Sequence, residues 1–168
     1  MKKVLLTQEI PSEILKLMEG RVEVIVSSLP DDNVVRSQIS GCHGLVVRSA
    51  TRLSRETIFY ADTLEVIART GAGVDNIDVA SATERGIPVC YTPEANTTSV
   101  AEHTLALILA LAKDLSHLDK EIRYGNWKIR DYSRAFDLRG KVIGLVGLGR
   151  IGQEVARLAV SFGMIVLA

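Results

Sequence analysis

The sequence predicts an α/β chain, a doubly wound parallel sheet followed by the start of a second βαβ unit. Three observations carry this. Short β-type runs alternate with amphipathic stretches over roughly the first ninety residues, the rhythm breaks at a Pro- and Asn-containing connector from Thr92 to Thr98, and a new strand, glycine turn, helix and strand follow from Val142.

Val4-Leu5-Leu6 reads as the first strand, and Pro11 starts a helix that places Ile14, Leu17 and Met18 on one face until Gly20 stops it. Val22 to Val26 is the second strand. Asp31 can cap a helix carrying Val34, Val35 and Ile39, and Leu45-Val46-Val47 is the third strand. Ser54 caps a short helix, Val66-Ile67-Ala68 is the fourth strand, a helix runs from near Asp78 to Glu84 with Gly86 as its stop, and Ile87-Pro88-Val89 is the fifth strand. Strands that alternate with helices return to the sheet in the same direction, which implies parallel pairing.

After the connector, Ser99-Val100-Ala101-Glu102 has the spacing of a capping box. Its helix is expected over Val100 to Tyr124, apolar on nearly all sides from Leu105 to Ala112, and so suited to joining two domains or two subunits. The domain boundary is placed here, giving residues 1–97 and 98–168. A polar loop over Gly125 to Asp137 leads to a strand at Val142 to Val146, a turn at Gly147 to Gly152, a helix at Gln153 to Phe162 and a strand at Met164 to Leu167.

The composition, 47% apolar and 24% charged, is that of a globular protein with a real core. Twenty basic and twenty acidic residues cancel without long blocks of either sign, which argues against nucleic acid and a polybasic membrane anchor and for a small-molecule partner. The apolar run Thr104 to Ala112 falls short of the ~18 residues that suggest a membrane span, and the N-terminus lacks a signal-peptide pattern, so a cytoplasmic location is expected. Cys42 and Cys90 have no CxxC spacing, which leaves a zinc site or redox pair without support; both are expected to be buried thiols, and no metal site is expected.

Gly147-Leu148-Gly149-Arg150-Ile151-Gly152 fits GxGxxG, a weak signal alone that gains weight from the strand before it and the amphipathic helix after it. In the dinucleotide-binding reading Gly147 permits the tight turn, Gly149 lets backbone approach a pyrophosphate, and Gly152 lets helix and strand pack closely. The N–H groups of Arg150 and Ile151, with the positive end of the helix dipole, would hold the phosphate charge. The alternative is a structural glycine turn without a ligand. The acidic residue expected ~20 residues past the glycines, which would choose between NAD and NADP, lies beyond Ala168. These residues therefore point to a nicotinamide dinucleotide, NAD with NADP not excluded, without choosing between the two.

Arg69-Thr70-Gly71-Ala72-Gly73-Val74-Asp75-Asn76-Ile77-Asp78, together with Asn96-Thr97-Thr98-Ser99-Val100-Ala101-Glu102-His103, resembles the D-isomer-specific 2-hydroxyacid dehydrogenase family. Arg48-Ser49-Ala50-Thr51 is similar to a motif of its phosphoglycerate dehydrogenase and hydroxypyruvate reductase branch, and Gly125-Asn126-Trp127 matches the family's GxW. The resemblance implies a flavodoxin-like substrate domain followed by the start of a Rossmann NAD-binding domain, and a homodimer formed through the long-helix region. It implies that backbone N–H groups of Ala72 and Gly73 hold the substrate carboxylate, with Asn96 nearby and Arg48 and Ser49 at the substrate's far end. Ala72, Val100, Gly147, Gly149, Arg150, Ile151 and Gly152 would face the cofactor.

Physical reasoning points the same way, because Arg48, Gly71 to Gly73 and Tyr91 to Asn96 all follow expected strands, the edge where open parallel sheets bind ligands. Read singly, each has a structural alternative: turn residues at Gly71 and Gly73, a cap at Asn96, an ion pair at Arg48. His43, His103 and His117 are expected to be structural, and the family's catalytic His, Glu and Arg lie beyond Ala168, so no catalytic residue is assigned. The expectation is an N-terminal fragment of an NAD-dependent oxidoreductase acting on a 2-hydroxy or 2-oxo acid of the phosphoglycerate, hydroxypyruvate or glyoxylate type, inactive as an isolated chain. Ala50 stands where some members carry a second Arg, a weak match for a phosphate dianion. A non-catalytic NAD sensor, or an inert truncated product, is the alternative.

Overall fold

Five short strands rich in Val, Leu and Ile line up in one parallel sheet. They are β1 (Lys2–Leu6), β2 (Val22–Val26), β3 (Gly44–Val47), β4 (Val66–Arg69) and β5 (Val89–Cys90), in the order β2-β1-β3-β4-β5. This is the flavodoxin-like order, and the direction of travel reverses between β1 and β3. In the registry Leu5 pairs with both Ile25 and Leu45, and Leu45 with Ile67. The structure, a computed structural model, describes residues 1–168 and divides into two units, Met1–Ala95 and Asn96–Ala168.

In the first unit the helices are α1 (Ser12–Met18), α2 (Asp32–Gln38), α3 (Arg55–Tyr60) and α4 (Val79–Glu84). Their starts are chemically specified. The Asp31 carboxylate accepts from the N–H groups of Asn33 and Val34, Ser54 Oγ from Thr57, and Asp78 from Ser81, each satisfying amides that the first helical turn leaves unpaired. Leu5, Val35, Ile39, Leu45, Val47, Ile58, Ile67 and Ile87 form one core, covered on both faces as a parallel sheet requires.

Two expectations fail at the rims of this sheet. Helix α1 buries no residue: Ile14 is 44% and Leu17 71% exposed, and the half-buried side is Leu15 and Met18. It lies beside edge strand β2, with a groove lined by Leu15, Val22 and Val24 between them, so its apolar face lacks full cover. Cys90, expected to be buried, is exposed because it ends the opposite edge strand β5; Cys42 is buried as expected.

The second unit contains α5 (Thr97–Ala112), α6 (Leu115–Arg123), a 3-10 helix (Trp127–Tyr132), β6 (Val142–Gly144), α7 (Arg150–Ser161) and β7 (Ile165–Leu167). Strands β6 and β7 pair in parallel, Val142 with Ile165 and Gly144 with Leu167. Helix α5 packs on α7, burying Ala101, Leu105 and Val155 against Ile143, Leu145 and Leu158.

The long helix is interrupted. Asp114 takes the left-handed conformation, φ 51°, and separates α5 from α6 where a continuous helix to Tyr124 was expected. Asp is among the few residues that tolerate this region, and helical periodicity continues across such a break without revealing it. The expected capping box also fails: α5 begins at Thr97 after Asn96, no side chain caps it, and Ser99 already lies inside the helix. The polar loop contains the 3-10 helix, the strand after it stops at Gly144, and α7 begins at Arg150 rather than Gln153.

Candidate active site

Because the first sheet is parallel, the loops after β1, β3, β4 and β5 leave from one edge, and hydrogen bonds stitch them together. The Arg48 N–H donates to the hydroxyl of Thr7, a residue with no exposed surface just past β1. Thr70 N–H donates to the Val47 carbonyl at 3.1 Å, and Thr92 N–H to the Gly71 carbonyl at 3.1 Å. Ala68, Arg69, Thr70, Gly71, Cys90, Tyr91, Thr92 and Ala95 line a largely apolar cleft of about 540 Å³ along this edge.

Arg48, Ser49, Ala72 and Gly73 therefore share one sheet edge. Arg48 and Ser49 are exposed immediately after β3. One guanidinium nitrogen of Arg48 donates to the Glu9 carbonyl at 2.7 Å, leaving other donors of its fork for a second partner. At Gly73 the carboxylate of Asp75 occupies the side where a Cβ would stand, 3.1 Å from that position.

A group that the sequence did not single out organises these loops. The Asn76 side-chain amide donates to the carbonyls of Thr51, at 2.6 Å, and Arg48, at 3.1 Å, and its oxygen accepts from Arg69 Nε at 3.1 Å. Its position within Val74-Asp75-Asn76-Ile77 was visible, but the partners lie 25 and 28 residues away and no local pattern announces them.

In the second unit the glycine turn behaves as three different residues. Gly147 has φ 100°, a conformation that a side chain disfavours. A Cβ at Gly152 would stand 2.4 Å from the Gly147 carbonyl oxygen, so the turn closes only with glycine there. A Cβ on Gly149 would meet no atom of the protein, so its lack of a side chain keeps open a space in front of the turn. The Gly149 carbonyl accepts the first helical bond, from Gln153 N–H at 2.9 Å, and the N–H groups of Arg150, Ile151 and Gly152 precede it without intrahelical partners. Asn96 and Val100 lie at the start of α5, both exposed.

His103 and His117 are exposed on α5 and α6, and His43 Nδ1 accepts the Lys3 N–H at 3.2 Å. No group of three or more His, Cys, Asp or Glu side chains could hold a metal ion, and no helix is long and apolar enough to cross a membrane.

Residues 4–162 match the family model described as D-isomer specific 2-hydroxyacid dehydrogenase, catalytic domain. The chain belongs to that family. A D-3-phosphoglycerate dehydrogenase from Methanocaldococcus jannaschii is 40% identical over 164 residues, 98% of this chain and 31% of that protein. Among solved structures, an NADPH-dependent glyoxylate/hydroxypyruvate reductase from Sinorhizobium meliloti is 29% identical with a TM-score of 0.83, covering 99% of this chain and 53% of that one. A D-lactate dehydrogenase from Aquifex aeolicus, complexed with NAD and lactic acid, is 26% identical with a TM-score of 0.83, covering 98% and 50%. The chain thus spans under a third of the curated phosphoglycerate dehydrogenase and about half of the solved dehydrogenases it matches.

Proposed function

We propose that this chain supplies the substrate-carboxylate loop and the pyrophosphate turn of a nicotinamide-dependent dehydrogenase that interconverts a D-2-hydroxy acid and its 2-oxo acid. The glycine turn carries this reading: Gly152 is required by the protein's own packing, whereas Gly149 faces open space at the N-terminus of α7, a cradle that a side chain would fill. Unpaired N–H groups and the positive end of a helix suit a phosphate there. With its pyrophosphate held in such a turn, a nicotinamide dinucleotide would supply the hydride acceptor or donor.

In this reading the N–H groups of Ala72 and Gly73 bind the substrate carboxylate, with Asn96 beside it. Arg48 and Ser49 meet the far end of the substrate, and Ala72, Val100, Gly147, Gly149, Arg150, Ile151 and Gly152 meet the cofactor. Arg48 favours an anionic tail, as in a phosphoglycerate-type substrate. NAD is the cofactor of this reading, and the NADPH dependence of the Sinorhizobium meliloti relative keeps NADP beside it. No side chain among residues 1–168 is assigned as the acid–base group, so the isolated chain is expected to be inactive. The enzyme is placed in the cytoplasm as a dimer in which α5 and α6, with Leu107, Leu111, Leu115 and Ile122 exposed, meet a second copy.

The test is a fluorescence titration of the full-length protein with NADH and NADPH, followed by oxidation of the preferred one with a panel of 2-oxo acids. Saturable binding and turnover are expected. Absence of both would refute the proposal, and binding without turnover on any 2-oxo acid would replace it with a nucleotide sensor.

A further inference from the structure

The stitched loops of the first unit suggest a division of labour. The Arg69–Gly73 loop is held to its neighbours by backbone bonds, from Thr70 N–H to the Val47 carbonyl and from Thr92 N–H to the Gly71 carbonyl, and by the Arg69 side chain, whose Nε–H donates to the Asn76 amide oxygen. The Arg48–Thr51 loop has one internal backbone bond, Thr51 N–H to the Arg48 carbonyl at 3.2 Å, and its connection to the Arg69–Asn76 segment runs through the Asn76 amide. Both Asn76 N–H groups donate to that loop while its oxygen takes the Arg69 Nε–H, which uses both donors and one acceptor lone pair of the amide. The Asn76 backbone carbonyl accepts from Leu53 N–H at 2.7 Å, anchoring the same residue just past the loop.

We infer that Asn76 is a positioning residue, held by Arg69, that fixes the Arg48–Ser49 loop at a set distance from the Ala72–Gly73 loop and so sets the length of substrate that can engage both. The inference rests on the reading of these loops as the two ends of the substrate site. The chemistry demands Asn. An Asp would set carboxylate oxygens against two carbonyl oxygens, and a Ser would offer one donor for two acceptors. Arg69 fixes which way the amide faces, because its Nε–H can meet only the amide oxygen.

A merely structural Asn76 would affect every ligand alike, whereas a positioning residue acts only on ligands that span both loops. The experiment compares, in the full-length protein, KM for a 2-oxo acid with an anionic tail and the inhibition constant of oxalate, a two-carbon dianion too short to leave the carboxylate loop. Asn76→Leu is expected to raise KM for the tailed substrate about tenfold, the order expected for losing its hydrogen bonds to the two loops, with oxalate inhibition and NADH affinity changed less than about twofold. Asn76→Ser, which keeps one donor, is expected to fall between, and it carries the same comparison if the Leu variant does not fold. Equal weakening of oxalate and tailed substrate, or no change in either, overturns the inference while leaving the dehydrogenase reading intact. A wild-type protein that reduces no 2-oxo acid and, by calorimetric titration, binds no oxalate refutes the reading of the loops and the inference with it.

Discussion

Gly149 and Gly152 show how two residues of one motif answer to different forces. Gly152→Ala places a Cβ on the Gly147 carbonyl oxygen and is expected to cost about 1–3 kcal/mol, measured as a lowered urea midpoint. Gly149→Ala meets no protein atom and is expected to leave stability within about 0.5 kcal/mol while weakening NADH binding about tenfold or more. Equal effects of the two variants on stability would show that the turn is purely structural. Capping is equally local: Asp31→Ala removes the acceptor for two amides and is expected to cost about 1 kcal/mol in the same unfolding assay. These residues were legible in the sequence because glycine spacing and Asp, Ser or Thr before an apolar run act over a few positions. Asn76 was not, because its meaning lies in carbonyls that the fold brings to it.

At the scale of elements, most strands and helices of the first unit followed from alternating apolar runs and their caps. The failures share a cause. Strand β5 and helix α1 lie at the rims of the sheet, where pattern predicts an apolar face but only neighbours decide whether it is covered. The break between α5 and α6 was hidden because the apolar spacing continues through it. Asp114 holds that break at φ 51°, so Asp114→Val, whose branched side chain crowds the left-handed region, is expected to destabilise the second unit by about 1–2 kcal/mol. Asp114→Gly is expected to be near neutral. A Val variant as stable as wild type, by thermal unfolding followed by circular dichroism, would mean that α5 and α6 can fuse without penalty.

For the whole molecule, pH and exposed surface set the conditions under which the fold persists. The Gly41 N–H holds the Asp62 carboxyl below the usual carboxylate range, Ser81 does so for Asp78, and the Lys2 ammonium does so for Glu65. A lowered folded pKa gives stability that is present above the unfolded value, near about 4, and is lost as pH falls through the folded value. Unfolding midpoints are therefore expected to drop between pH 5 and about 2, and Asp62→Asn is expected to flatten part of that acid limb. Burial pushes the Cys42 thiol up, so its contribution is lost instead as pH rises above the thiol range. The isolated 168-residue chain exposes Leu111 at 80%, Val146 fully, and Ile165 and Leu167 on a two-stranded sheet with open edges. Size-exclusion chromatography is expected to give an apparent mass above 18.3 kDa with strong dye binding, and a clean monomer with little dye binding would contradict it.

The sequence by itself determined what local rules can carry: the α/β class, parallel pairing, the caps of α2 to α4, and the glycine turn between a strand and a helix. It also carried the family, through motifs whose residues lie close together along the chain. The tertiary structure decided what depends on distant neighbours. It placed β2 and β5 at the edges, so that α1 and Cys90 are uncovered. It divided one apolar stretch into α5 and α6. It brought the loops of β3 and β4 together at Asn76. Local patterns record periodicity and spacing over one or two turns of chain, whereas burial, strand order and a hydrogen bond across 25 residues exist only once the chain has closed on itself.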